Sequence, residues 1–166
     1  MKRFITLLAL CLLAVACNNN TQRDPVIKGY RINQVGGLGF GLDGLTADVQ
    51  LDLDIDNPSK ARYVVEALQA DVFQIGDSVR FANINLKEEA TIQPKSNGRV
   101  ALPLVVKMKR PLSLLNGSMS DDLSNYEADI DLTIRRGALK KNIQKSRVPL
   151  SQIIELLGKY EFLPNE

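Results

Sequence analysis

Apolar and polar residues alternate with period two through long stretches of the chain. Val49, Leu51, Leu53 and Ile55 are interleaved with Asp48, Gln50, Asp52, Asp54 and Asp56. In a strand, successive side chains point to opposite faces, so this row places one face in a core and the other in water. Ala128, Ile130, Leu132 and Ile134 repeat the pattern against Glu127, Asp129, Asp131 and Thr133, and Val100, Leu102, Leu104, Val106 and Met108 form a third row. Val79 and Phe81, then Ile84 and Leu86, also alternate, but they change phase around Ala82-Asn83. A phase change within a strand is the signature of a bulge. Residues 63–75 are apolar on both faces in places (Val64, Val65, Leu68, Val72, Phe73), which suits a central strand.

Turn residues separate the rows. Asn57-Pro58-Ser59 ends one strand, Gly76-Asp77 joins two in a tight hairpin, and residues 94–98 join two more. Residues 139–148 alternate weakly and carry Lys140, Lys141, Lys145 and Arg147, charges that suit an edge strand because they oppose pairing with another chain. Only two stretches read as helical: Pro111 to Leu115, with Pro at the first turn, and residues 151–157, with Ile153, Ile154 and Leu157 on one side and Gly158 as the stop. The predicted fold is all-β, an antiparallel immunoglobulin-like or fibronectin-III-like sandwich with one or two short helices.

The first residues read as an address. Lys2 and Arg3 precede an uncharged apolar run, residues 4–16, shorter than the roughly 20 residues of a spanning helix. Leu13-Ala14-Val15-Ala16-Cys17 ends it, and small residues before a cysteine resemble the bacterial lipobox. The expected division is a lipoprotein signal peptide over 1–16, a tether over 17–25 lipidated at Cys17, a sandwich over 26–150, and a short helix and tail over 151–166. Two or three acyl chains hold firmly where one holds weakly. Extended, residues 18–25 reach roughly 25–30 Å. Asn18 offers no inner-membrane retention signal and no acidic run follows Cys17, which favours the periplasmic face of the outer membrane.

Composition narrows the chemistry. The 166 residues include no His and no Trp, and both cysteines, Cys11 and Cys17, fall in the first 17 residues. His-based triads and His-ligated metals are excluded. Loss of Lys2 and Arg3 with the signal takes the formal charge from +2 to zero, which removes the electrostatic case for nucleic acid. Gly39 to Gly44 matches G-x-G-x-x-G, but the strand pattern from Leu45 follows where a dinucleotide fold needs a helix. With five of the 11 glycines between Gly36 and Gly44, the segment reads as a flexible loop. Asp52, Asp54 and Asp56 share a strand face about 7 Å apart, too wide for one calcium ion, and read as a solvated face. No metal or other cofactor is expected. Arg135, Arg136, Lys140, Lys141, Lys145 and Arg147 read as a solvated edge hairpin facing the acidic rows, or as a contact for an acidic partner or anionic headgroups.

Residues 49–58, the alternating row ending in Asn57-Pro58, resemble the strand and Asn-Pro turn of the late embryogenesis abundant type 2 family, also called the water-stress and hypersensitive-response domain. Residues 63–75, Thr91 to Ser96, Leu102-Pro103-Leu104 and residues 126–134 follow in the family's order, so the resemblance spans about 26–150. It implies a sandwich, a non-enzymatic role often linked to desiccation or stress, frequent membrane attachment, and no catalytic residues. Pro58 stops ladder pairing and biases Asn57 to an extended conformation, and the Asn57 side chain is placed to bond nearby backbone and fix the turn. The expected function is that of a lipid-anchored envelope protein that binds or protects other envelope components, with a protein or lipid partner. The alternative is a carrier of lipid or another apolar ligand between the sheets, lined by Leu51, Leu53, Leu102, Leu104, Ile130 and Leu132.

Overall fold

The computed structural model describes residues 25–42, 44–76, 78–109, 125–152 and 161–162. The strands are β1 (Val26–Gly41), β2 (Gly44–Asn57), β3 (Tyr63–Gln74), β4 (Arg80–Leu86), β5 (Ala90–Ile92), β6 (Ser96–Met108), β7 (Tyr126–Arg136), β8 (Leu139–Pro149) and β9 (Glu161–Phe162). Their order is β8-β7-β3-β4-β6-β2-β1-β9, with β5 also against β3. All pairs are antiparallel except β1 with β9. β4 pairs with β3 on one side and β6 on the other, so one continuous ladder links two layers, β8-β7-β3-β5 and β6-β2-β1-β9.

The period-two rows become the core. Odd positions of β2 from Leu45 to Ile55 are buried, as are Leu102, Leu104, Val106 and Met108 of β6 and Ala128, Ile130 and Leu132 of β7. These side chains join Leu68, Ala70 and Val72 of β3 and Ala82 and Ile84 of β4 in one cluster. A sheet whose apolar face meets another apolar face gains roughly 25 cal/mol for each Å² taken out of water, which is why the chain folds as two layers. The fold is the antiparallel sandwich that the alternation predicts.

The β4 bulge falls at Phe81, one residue before the phase change in the sequence: Val72 and Phe73 face Ala82 and Arg80, leaving Phe81 as the extra residue. Lysine-bearing β8 is an edge strand. Residues 150–152 are helical, with Leu150 fully buried. Cys17, the signal segment, the stretch from Pro111 to Leu115 and Ile153, Ile154 and Leu157 lie outside the described residues.

The glycine-rich segment, expected as a flexible loop, is instead the far half of β1 and its hairpin to β2. Register shifts between Ile27/Gly29, Ile32/Gln34 and Gly36/Gly39 insert extra residues into β1. They let Ile27, Ile32, Val35 and Phe40 stand opposite Ile55, Leu51, Val49 and Leu45 despite uneven spacing. Gly37 has φ +58, the left-handed conformation of a bulge glycine.

Register also defines two ends. At the near end lie Val26 beside Asp56, Asn57 beside Ser96, and Tyr63 beside Ile92 and Arg136. At the far end lie Gly41 beside Gly44, Leu45 beside Met108, Phe73 beside Arg80 and Gln74 beside Tyr126. β1 runs the whole way alongside residues 44–56 of β2, roughly 40 Å at about 3.3 Å per residue.

Candidate binding surface

The Asn57-Pro58 turn is a closed polar knot at the near end. Asn57 is fully buried. Its Nδ2 donates to the carbonyls of Ala61 (3.0 Å) and Gln93 (2.7 Å), and its Oδ1 accepts from Ser59 N (3.2 Å) and Ser59 Oγ (2.7 Å). Pro58 is exposed. The knot ties the β2–β3 connection to the β5–β6 connection and leaves no polar atom of Asn57 for a ligand.

Two carboxylates of the acidic row of β2 are taken up by partners within the fold. Asp52, expected to be solvated, is buried and faces Arg31 across the β1–β2 pair, Nε to Oδ2 3.3 Å. Gln50 Nε2 donates to its second oxygen at 3.0 Å. The overturned expectation has a simple cause: a carboxylate leaves water when a cation and an amide replace its hydration. Asp56 pairs with Lys28 at 3.1 Å. Among the described residues, no group of three or more His, Cys, Asp or Glu is placed to hold a metal.

The basic hairpin largely spends its charge within the fold. Glu66 accepts from Arg135 Nε at 2.5 Å and Lys140 Nζ at 2.7 Å, and these two cations, Lys140 foremost, hold its carboxyl below the ordinary value of 4.5. Arg147 sits at φ +53, which costs a non-glycine residue, and contacts with Asp129, Glu127 and Phe73 hold it there. Its N–H donates to Asp129 Oδ1 (2.7 Å), its Nη1 to Glu127 Oε1 (2.7 Å), and its guanidinium lies 4.1 Å from the Phe73 ring centre. Lys141 and Lys145 are exposed.

The six aliphatic residues expected to line a ligand groove between the sheets are 3% exposed or less and belong to the single core cluster. They fill the interior by packing against one another, as protein cores do.

Among the described residues seven large apolar side chains are exposed, and five of them stand at the far end: Leu38, Phe40, Leu42, Ile75 and Val79. Phe40 is 77% exposed. It faces Leu45, a core residue, so Phe40 continues the core face of the layer beyond the point where the other layer covers it. Ile75 and Val79 flank the β3–β4 turn, tied to the same end by the Ile75 N–H to the Asn125 carbonyl (2.8 Å). Beneath them Phe81 and Tyr126 meet ring to ring at 5.5 Å, and burial raises the Tyr126 phenol above its ordinary value. Scattered exposed apolar side chains are normal, whereas several gathered toward one end make that end the candidate binding surface. Reading residues 36–44 as a loop hides this cluster. The sequence signal was Leu38-Gly39-Phe40-Gly41-Leu42, itself a period-two row.

No family model matches the chain, and no curated protein matches it. Among solved structures it is similar to a protein from Archaeoglobus fulgidus, at 15% identity, covering 70% of this chain and 92% of that one, with a TM-score of 0.40. It is also similar to the solution structure of a protein described as late embryogenesis abundant (LEA), at 15% identity, covering 89% of this chain and 86% of that one, with a TM-score of 0.34.

Proposed function

We propose that this chain is a non-enzymatic binding module, held by lipid on Cys17 at the periplasmic face of the outer membrane, that meets another envelope component with its far end. One observation carries the reading. Val26, which opens the first strand after Cys17 in the sequence, stands at the near end, while five of the seven large apolar residues exposed among the described ones stand at the other. Covering Leu38, Phe40 and Leu42 alone would gain at most roughly 4.5–9 kcal/mol gross, at about 1.5–3 kcal/mol per side chain. Part of that is offset by the cost of association. Tethering raises the local concentration and lets a modest contact suffice. The resemblance of residues 49–58 to the LEA type 2 pattern adds desiccation or salt stress as the setting.

The test replaces Leu38, Phe40 and Leu42 together with Ser in the tethered protein and cross-links it in envelope membranes. The expected result is loss of the cross-linked species while the protein stays folded and membrane-bound. An unchanged cross-linking pattern contradicts the reading. Cys17→Ser separately releases the protein from the membrane fraction. Retention there contradicts the anchor.

A further inference from the structure

Among the described residues, the far half of β1 is an open sheet edge. β9 covers that edge only at Gly29 and Tyr30, and among the described residues no strand pairs with 32–41 on the side away from β2. Main-chain groups on such an edge are a ready template for another strand. The two edges of this protein are treated differently. β8 carries Lys140, Lys141, Lys145 and Arg147, with a bulge between Ala128 and Ile130 of its partner strand. Residues 32–42 carry no charge at all.

The glycines add a second observation. Gly37 and Gly44 have positive φ and are required by the bulge and the turn. Gly39 and Gly41 do not, and a Cβ added to either meets nothing within 4 Å. Neither backbone geometry nor packing within the fold calls for glycine there. Bare backbone on a strand commonly marks a place where another chain lies close.

We propose that residues 32–41 take an extended segment of another protein as an added strand, uncharged and apolar at every second position. The proposal rests on the reading of the far end as the contact surface and names what it takes. Main-chain hydrogen bonds supply affinity, and alternate side chains supply selection. On the core-facing side the incoming apolar residues lie beside Leu38 and Phe40. On the opposite side its other residues cover the bare backbone of Gly39 and Gly41, as cross-strand side chains do for edge glycines. β9 already joins the same edge at the near end, so an added strand continues an existing row.

The probe is a synthetic peptide, acetyl-Lys-Lys-Thr-Val-Thr-Leu-Thr-Val-Thr-Lys-Lys-amide. Its control is methylated at every central backbone nitrogen and so has no donors. Amide hydrogen exchange of the purified full chain is read with each. The unmethylated peptide is expected to slow exchange within 32–41 by about tenfold or more and the control to leave it unchanged. Leu38→Lys and Phe40→Lys, at exposed positions that leave the fold intact, are expected to abolish the slowing. No slowing in 32–41 overturns the proposal, as does equal slowing by the methylated control. Protection produced by self-association of the chain, seen in sedimentation, or by phosphatidylglycerol vesicles without peptide also overturns it. If the triple Ser variant loses its cross-links but the peptide leaves 32–41 unprotected, the contact end stands and strand addition falls.

Discussion

Replacing Asn57 with Ala removes four hydrogen bonds at a fully buried position. A typical intramolecular bond contributes about 0.5–1.5 kcal/mol net, and partners left buried and unmet add to the loss. The partners are not all orphaned. The Gln93 carbonyl keeps Ser96 Oγ at 2.6 Å, and the Ala61 carbonyl keeps Ser59 Oγ at 3.4 Å. Ser59 N loses its acceptor, while the Ser59 hydroxyl turns its one proton to the Ala61 carbonyl. The expected loss is therefore about 3 kcal/mol, below the sum of four full bonds. Asn57→Asp keeps the acceptor for Ser59 but turns oxygen toward two carbonyls, so it should cost at least as much at neutral pH. Pro58→Ala, at an exposed site, should cost under about 1 kcal/mol, chiefly through unfolded-chain entropy. Urea unfolding followed by circular dichroism suits a chain without Trp. A loss below about 1 kcal/mol for Asn57→Ala at unchanged urea slope would refute the knot as an anchor of the turn.

Three further outcomes follow from other contacts. Arg31→Ala strands the Asp52 carboxylate and should cost about 3 kcal/mol or more, whereas Arg31→Met with Asp52→Leu should melt within a few degrees of the native chain. Gly44→Ala places a Cβ 1.9 Å from the Met108 carbonyl oxygen at φ +121 and should cost more than about 2 kcal/mol, while Gly39→Ala should fall within about 0.5 kcal/mol in the same urea assay. Because Glu66 titrates lower in the folded chain than its ordinary 4.5, its contribution is full above that value and is lost as pH falls through the folded one. Urea midpoints of Glu66→Gln should therefore converge on those of the native chain on acidification.

The strands that pack with strict alternation were legible because their geometry is regular. β2, β6 and β7 each keep one residue per step along their main pairs, so period two in the sequence is period two in space. β1 was not legible because three bulges break its phase, spacing the core-facing residues Ile27, Ile32, Val35 and Phe40 unevenly. Only the partner strand reveals that they share a face. Burial of Asp52 was hidden for the same reason, since Arg31 lies on the strand whose register the sequence does not show. The Asn57-Pro58 turn was legible in its local bonds to Ser59 and Ala61. Its bond to Gln93, 36 residues away, depends on how the two connections meet. Arg147 was legible as an edge cation but not as a left-handed residue, because its φ is fixed by Glu127, Asp129 and Phe73 from neighbouring strands.

The most direct measurement is photo-cross-linking in intact envelope membranes from two exposed positions, Phe40 at the far end and Leu139 at the near end, each replaced by a photoreactive residue. A discrete adduct from position 40 and none from 139 is the expected result. Adducts from 139 alone, or the same products from both, would contradict a protein that works through the tip of its first hairpin.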